Sequence, residues 1–561
     1  MKAKAILLSA LALILFVGCE KNIEPDDYSN ESYLTVKLIS PSDASTKGSQ
    51  GGNTPGTGGE TGVDQESKIV DAQFYFYDAA GNFVVKGETV SDLGTTTQTP
   101  GNNVERKSEI TIVLQNVTVK PDQMFVVLNL PGTDDVFKNK SLTEAQALAT
   151  EFYKDGDYFT MTSTTYIKKD ETNPVIFTTR NIKDNLQPTE AQAKNTPVSA
   201  YVERLAVKGT ITIDHEDEYN GTPVTAAVVG DANKVMTIEV LGWGFSNVNK
   251  QTYYIKKINQ NWNFDWSWDD YSSGTWQSHY RTFWAQDANY TDGVYPVNYA
   301  DLRDEGGTDA ITPATASLVY KSFNDITPTT WREADYCLEN TISGNLLKGE
   351  QYLTAATNML VTARVKPSDA ATYVTLYRFN GIFYTWDQYA NNLASILNAQ
   401  GLKKADNNSP YVAADFQTPD PANSTTFTNL YDGLVVPLFK TNLNPAPSND
   451  AIAYLADAAN NGARFATKVY TDGKMYYSIP IEHFSDPIWD KDHSTVAFKE
   501  GDFGVVRNHW YQVTVTDILK VGNGVFDVDE PIVPSYDPST YYLAAELNIL
   551  AWKIVTQSVT L

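Results

Sequence analysis

The sequence predicts a mainly β protein of more than one domain, on three observations. Tyr is abundant, at 33 residues, and Thr and Asn are frequent, which favours strands and surface loops. Apolar and polar residues alternate in segments such as "YLTVKLIS", the period of a half-buried strand, while long amphipathic helical stretches are few. At 561 residues the chain is too long for one core, so about two to four domains are expected. The formal charge of −25 repels phosphate backbones and anionic lipid, which argues against a nucleic-acid partner.

The chain begins "MKAKAILLSALALILFVGCEKN". Lys2 and Lys4 form a positive start, and residues 5–17 form an apolar run too short for an ordinary spanning helix. The run ends in "FVGC", which resembles a bacterial lipobox: residues 1–18 read as a lipoprotein signal peptide, and Cys19 as the acylated first residue. The alternative is a plain signal peptide with an incidental cysteine. No second run of about eighteen apolar residues follows, so contact with a membrane is expected only through the lipid anchor of the precursor. Cys337, the other cysteine, has no intrachain partner in the mature chain and reads as a small buried hydrophobe.

In "YLTVKLIS", Leu34, Val36 and Leu38 share one face, with Thr35 and Lys37 on the other. The following stretch, "PSDASTKGSQGGNTPGTGGETGVDQES", is dominated by Gly, Ser and Thr and reads as a flexible leash. Within it Lys47 precedes Gly48, an easy target for a trypsin-like protease. Residues 19–47 are therefore read as a propeptide carrying the first strand, removed on maturation.

Residues 48–225 read as an N-terminal β domain, with strands in "KIVDAQFYFYDAAGNFVV", "EITIVLQNVTV", "QMFVVLNLP" and "PVSAYVERLAVKGTITID". One helix is expected near "SLTEAQALATEFY", where Ser141 and Glu144 make a capping box. The polar stretch "HEDEYNGTP" places the boundary near residue 225, and residues 226–561 form a larger C-terminal β domain. It holds an aromatic stretch, a helix near "WDQYANNLASILNAQ", and a last segment, "NILAWKIVTQSVTL", that reads as one long strand without a local partner. No repeat of about 20–50 residues occurs, which excludes solenoids and propellers.

Catalytic signatures are absent. "HEDEY" lacks a second His at metalloprotease spacing. "SGNLLKGE" is no phosphate loop, and no G-x-S-x-G elbow occurs. No catalytic, cofactor or metal residue is therefore assigned, and the chain reads as no enzyme. The acidic groups Asp527, Asp529 and Glu530, and Asp214, Glu216, Asp217 and Glu218, offer oxygen ligands but match no EF-hand, and solvated acidic loops are common in so acidic a chain. Trp262, Trp266, Trp268 and Trp276 form the best ligand-platform candidate, since exposed indoles stack on sugar rings. The competing reading is core packing, the commoner use of large aromatic rings.

The two ends of the chain suggest a joint role. If the first strand fills a groove and the leash is cut, the strand can leave, and the last strand of a second molecule can take its place by β-strand addition. Fourteen residues at about 3.3 Å each reach on the order of 46 Å, enough to pair along a domain. Val555, Val559 and Leu561 share the face expected to fill the groove, and Trp552 and Ile554 lie on the other. Head-to-tail insertion is heterologous and need not close, so it builds a filament.

These pieces, with "YVERLAVKG", "YCLENT", "GKMYYSIPI" and "GVVRNHWYQVTVTDI" in that order, resemble the type V pilins of Bacteroidetes, the fimbrilin family, closest to the structural subunit of the minor (short) fimbria. The resemblance implies two tandem β-sandwich-like (transthyretin-like) domains with a few short helices, and export to the outer membrane as a lipoprotein. It further implies removal of the first strand by an arginine- or lysine-specific protease, and polymerisation with other copies by donor strand into a surface fimbrium for adhesion and biofilm. Accessory fimbrial subunits and host or bacterial surface receptors are the implied partners. Cleavage in the family commonly follows Arg, whereas this leash offers only Lys47. The rival readings are a carbohydrate-binding surface lipoprotein and an accessory, tip or anchor subunit of the same fimbria.

Overall fold

A computed structural model describes residues 31–41, 66, 68–91, 93, 97–99, 104–115, 117, 119–132, 135–151, 153–155, 158–169, 174–213, 220–258, 285–290, 317–326, 333–342, 354–423, 434–457, 463–483, 503–534, 543–550 and 556–559. The fold is mainly β, as the alternation of the sequence requires.

The N-terminal body is built from β1 (Glu31–Pro41), β2 (Ala72–Tyr77), β3 (Phe83–Lys86), β4 (Thr97–Thr99), β5 (Val104–Gln115), β6 (Gln123–Leu128), β7 (Met161–Ser163) and β8 (Val198–Arg204). Their order across the sheet is β3-β2-β6-β7-β8-β1-β5-β4. Strand β8 serves two partners in succession. Its first half pairs in parallel with β1, Val36 opposite Val198 and Leu38 opposite Ala200, and its second half pairs with β7, Met161 opposite Arg204. Such a strand turns the corner between two packed layers. Leu34 and Val36 from β1, Ile112 and Leu114 from β5, Phe74 and Phe76 from β2, and Val126 and Leu128 from β6 all bury into one core.

Two short helices belong to this body. The predicted one, α1 (Leu142–Gln146), carries the expected capping box: the Glu144 amide donates to Ser141 Oγ, and Glu144 Oε2 accepts from the Ser141 amide. The second, α2 (Glu190–Asn195), starts at the N-cap Thr189 and packs against β1 and β5.

The C-terminal body contains β9 (Ala206–Ile213), β10 (Asn220–Val228), β11 (Asp231–Ser246), β12 (Asp335–Leu338), β13 (Asn358–Pro367), β14 (Lys474–Pro480), β15 (Trp510–Ile518), β16 (Leu543–Leu550) and β17 (Thr556–Val559). One sheet runs β12-β9-β15-β16-β17; a larger one contains β10-β11-β13-β14 as neighbours. Val207 and Ile211 of β9 and Val513 and Val515 of β15 face Ile238 of β11, Met359 and Val361 of β13 and Met475 of β14 across a shared core. Gly209 permits the close approach: a Cβ there would lie 2.3 Å from Phe245 Cζ. The predicted helix is α3 (Trp386–Ala399), capped by Thr385, with Tyr389, Leu393 and Leu397 buried at helical spacing.

The change of body falls at Leu205, between β8 in the first sheet and β9 in the second. This change of sheet lies ahead of the boundary expected near residue 225. A polar stretch marked it in the sequence, but "YVERLAVKG" crosses between sheets with a single residue to spare, leaving no polar linker to read.

Candidate strand-exchange site and interdomain junction

Strand β1 precedes the leash in sequence yet occupies an interior place in the sheet. It pairs in parallel with β8 on one edge and antiparallel with β5 on the other, with Leu34 opposite Ile112 and Val36 opposite Ile110. Leu34 and Val36 are wholly buried and Leu38 retains 2% exposure. Burying such side chains is worth roughly 1.5–3 kcal/mol each. The other face was expected to meet solvent. Thr35 is instead wholly buried, with its hydroxyl 3.0 Å from that of Thr111 on β5, while Lys37 is half-buried. Tyr33 exchanges both backbone hydrogen bonds with Gln187, at 2.8 and 3.0 Å.

Among the described residues, β1 is also the one backbone link between β8 and the pair β5–β4 along the sheet. Take it away and the site it fills has unequal walls. β8 remains in register with β7, whereas among the described strands β5 keeps just the short β4, beside its own core side chains Ile110, Ile112 and Leu114.

The tail differs from the single strand the sequence suggested. β16 pairs antiparallel with β15, Leu547 opposite Val513, and β17 folds back on β16, Val559 opposite Ala545 and Thr556 opposite Asn548. The segment therefore has a local home as a hairpin at the sheet edge. A segment rich in β-branched and apolar residues and free of Gly and Pro gives the same pattern for one strand as for two. Trp552, Ile554, Val555 and Leu561 lie outside the described residues, as do Cys19, Lys47, Gly48 and the tryptophans Trp262, Trp266, Trp268 and Trp276.

Where the two bodies meet, the structure gathers charged residues that sequence reading passed over. Glu203 and Lys256 pair at 3.0 Å with both side chains fully buried, and Arg507 pairs with Glu339 at 2.9 Å. The Arg507 guanidinium also donates to Thr252 Oγ1 at 2.9 Å and to the Tyr253 carbonyl at 2.8 Å. Burial pushes the Glu203 carboxyl up, against the pull of Lys256 and Arg507.

Glu66, the last but one residue of the leash, is 1% exposed. Its carboxylate meets Lys208 Nζ at 2.7 Å and accepts from the Tyr336 hydroxyl. Its carbonyl accepts from Arg204 Nε at 2.8 Å, and Arg204 Nη1 reaches Asn508 at 3.1 Å. Lys208 also lies 4.0 Å over the Trp510 ring. Burial pushes the Glu66 carboxyl up, but Lys208 and the Tyr336 hydroxyl outweigh it and hold it below the ordinary range.

Buried charges are tolerated only when paired, and removal of one partner costs far more than the pair contributes. "YVERLAVKG" supplies Glu203, Arg204 and Lys208, "YCLENT" supplies Tyr336 and Glu339, and "GVVRNHWYQVTVTDI" supplies Arg507, Asn508 and Trp510. The available signal was charge inside apolar strands, as in Val202-Glu203-Arg204-Leu205.

Cys337 is buried, as expected, and burial pushes its thiol well above the ordinary range. Asp529 closes its loop on Asn324 at 2.6 Å, with its amide on Asp527 Oδ1 at 3.0 Å. Among the described residues no group of acidic, His or Cys side chains is arranged to hold a metal ion.

Residues 468–558, from the end of the large sheet through nearly all of the terminal hairpin, match the family model described as Major fimbrial subunit protein type IV, Fimbrillin, C-terminal. The similarity to the fimbrillins rests on this C-terminal region. No curated protein matches the chain. Among solved structures, a fimbrilin of Porphyromonas gingivalis is 12% identical, with 94% of this chain and 98% of that chain covered at a TM-score of 0.36. The tip fimbrial protein of the same organism, truncated at its C-terminus, is 9% identical over 94% of this chain and 100% of its own length, TM-score 0.33. A fimbrial assembly protein of Parabacteroides distasonis is 9% identical over 59% of this chain and 94% of its own, TM-score 0.26. No helix among the described residues is long and apolar enough to cross a membrane.

Proposed function

We propose that this protein is a fimbrillin and serves as a stalk subunit of a surface fimbria, of the minor (short) type by its motifs, and not an enzyme. It is exported as a lipoprotein through Cys19, cut after Lys47, and polymerised when one copy's tail replaces another copy's β1. The observation that carries this reading is the place of β1. A strand joined to its domain by a protease-sensitive leash is paired on both edges and fills the core with Leu34, Val36 and Leu38.

While the leash is intact, β1 is held at high effective concentration in its own site, and a tail from another molecule cannot compete. Cutting the leash removes that advantage. Departure of β1 then exposes backbone groups on two strands and an apolar slot, which a second β segment satisfies by main-chain hydrogen bonds and alternate side chains. Val555, Val559 and Leu561 of the incoming tail take the places of the β1 core residues, and Trp552 and Ile554 pack on the donor's own body. The donor must first lift its four-residue β17 from the edge of β16. Accessory subunits cap and anchor the stalk, and surface receptors are its adhesion targets.

N-terminal sequencing of the protein taken from the cell surface tests the reading. A start at Gly48 is expected. A start at Cys19, with the acyl group retained, overturns it in favour of a permanent lipoprotein or an anchor subunit.

A further inference from the structure

The leash contains one basic residue, Lys47; residues 48–67 hold no Lys or Arg, and the next is Lys68. Lys68 has an exposed side chain and stands immediately after the leash. By sequence alone, a trypsin-like protease would cut there as well as at Lys47.

The surroundings of that bond differ from those of a substrate. Asn129 Nδ2 donates to the Lys68 carbonyl at 2.8 Å, and Asn129 Oδ1 accepts from the Val70 amide at 2.7 Å. Asn129 is itself 5% exposed, holds a left-handed φ of +53°, and donates from the same Nδ2 to the Phe159 carbonyl at 2.9 Å. The Lys68 ammonium lies 4.7 Å from the Tyr158 ring centroid and 3.3 Å from its hydroxyl. Two residues upstream, Glu66 is fixed by Lys208, Tyr336 and Arg204.

A serine-type protease must take the scissile carbonyl into its own oxyanion hole. Here that carbonyl is already bonded, and both flanks are fastened to the folded body. Cleavage of such a bond follows the population of the locally open form.

We propose that Lys68–Ile69 is a masked tryptic bond, held closed by Glu66 and Asn129, so that the maturation protease can use Lys47 alone. The mask has a consequence for the mature subunit. A cut after Lys68 would carry Glu66 away with the leash and leave Lys208 and Arg204 at the junction without its carboxylate and carbonyl. Stopping at Lys47 keeps that contact in the polymerising subunit. The inference rests on the reading that the leash is where maturation occurs, but its physical content is the protection of one bond.

Trypsin digestion of the full precursor, with N-terminal sequencing of the products over time, tests it. The native protein should give a product beginning at Gly48 and none beginning at Ile69. Asn129→Gly removes the amide side chain while tolerating the left-handed backbone, and Glu66→Gln removes the charge. Each should raise the rate of cutting at Lys68 by about tenfold or more, the scale of one lost charge-assisted or buried hydrogen bond. Cutting after Lys86, which is paired with Asp135 in the fold, reports general unfolding and separates it from local release. A native precursor cut at Lys68 as fast as at Lys47 overturns the proposal, as do variants cut normally at Lys47 with Lys68 still intact. A surface protein that starts elsewhere than Gly48 would move the maturation cut of the proposed function while leaving the mask standing.

Discussion

The first and last described strands of this protein contrast in every respect that governs removal. β1 has eleven residues, a partner on each edge and three core side chains. β17 has four residues and one partner, at the end of its sheet. Freeing β17 forfeits a few hydrogen bonds, each worth about 0.5–1.5 kcal/mol net. Freeing β1 forfeits two ladders and the burial of Leu34, Val36 and Leu38, at roughly 1.5–3 kcal/mol per side chain. The comparison teaches an order of events. Under the proposed function, a tail that lifts readily cannot by itself displace a leader that does not, so severing the leash would have to come first. An edge strand that is released also becomes a template for pairing with other chains.

The largest expected effect comes from removing the weaker partner. Deletion of residues 551–561 leaves β16 paired with β15 and should give a folded, exported, correctly trimmed monomer that forms no fibres. Electron microscopy and gel filtration check this, and fibres from the truncated chain would break the comparison. A longer deletion from residue 548 is less informative, because it removes the ladder between Leu550 and Trp510 as well. Next in size, Lys47→Ala should leave β1 in place and stop assembly, with the uncut precursor accumulating on immunoblots. Normal processing of that variant moves the cut and weakens the link between leash and exchange.

The unequal walls of the site give a sharper test. In the tail-deleted subunit, trimmed and freed of its leader, amide hydrogen exchange should lose protection across β4 and β5 while β8 stays protected near Arg204. That residue is tied to Glu66 and Asn508, and its neighbour Glu203 to Lys256. Equal loss on both walls would show that the junction does not hold β8. A smaller effect is expected from Leu34→Ala. A wholly buried Leu replaced by Ala should cost the precursor about 2–5 kcal/mol, read as a lower denaturant midpoint. The trimmed protein should be unaffected, because the residue is gone.

Much of the fold was legible because the sequence carries its periods locally. Ser141 and Glu144 announced α1, and Leu34, Val36 and Leu38 announced the buried face of β1 by alternation alone. What stayed hidden depends on partners far along the chain. No local pattern tells that Glu66 will meet Lys208 and Tyr336, or that β8 and β9 will part into different sheets across Leu205. The hairpin in the tail was hidden for another reason. Its residues suit a strand throughout, and a reversal without Gly, Pro or Asn-Gly gives no turn signal. Thr35 marks the limit of the binary pattern: it lies on the polar face by alternation, yet that face is covered.

Thr35 offers the finest test of the comparison. Its hydroxyl lies 3.0 Å from that of Thr111, so Thr35→Val keeps the shape and the strand propensity and removes only the polar contact. Thr111 is half-buried rather than sealed, so water can replace part of the lost bond, and the cost to the precursor should be about 1 kcal/mol or less. A loss near that of Leu34→Ala would mean that the covered face holds β1 as firmly as the core face does. The groove would then select an incoming strand on both faces. No measurable loss would assign the grip to Leu34, Val36 and Leu38 and the two ladders alone, leaving the outward residues of the donor free to vary.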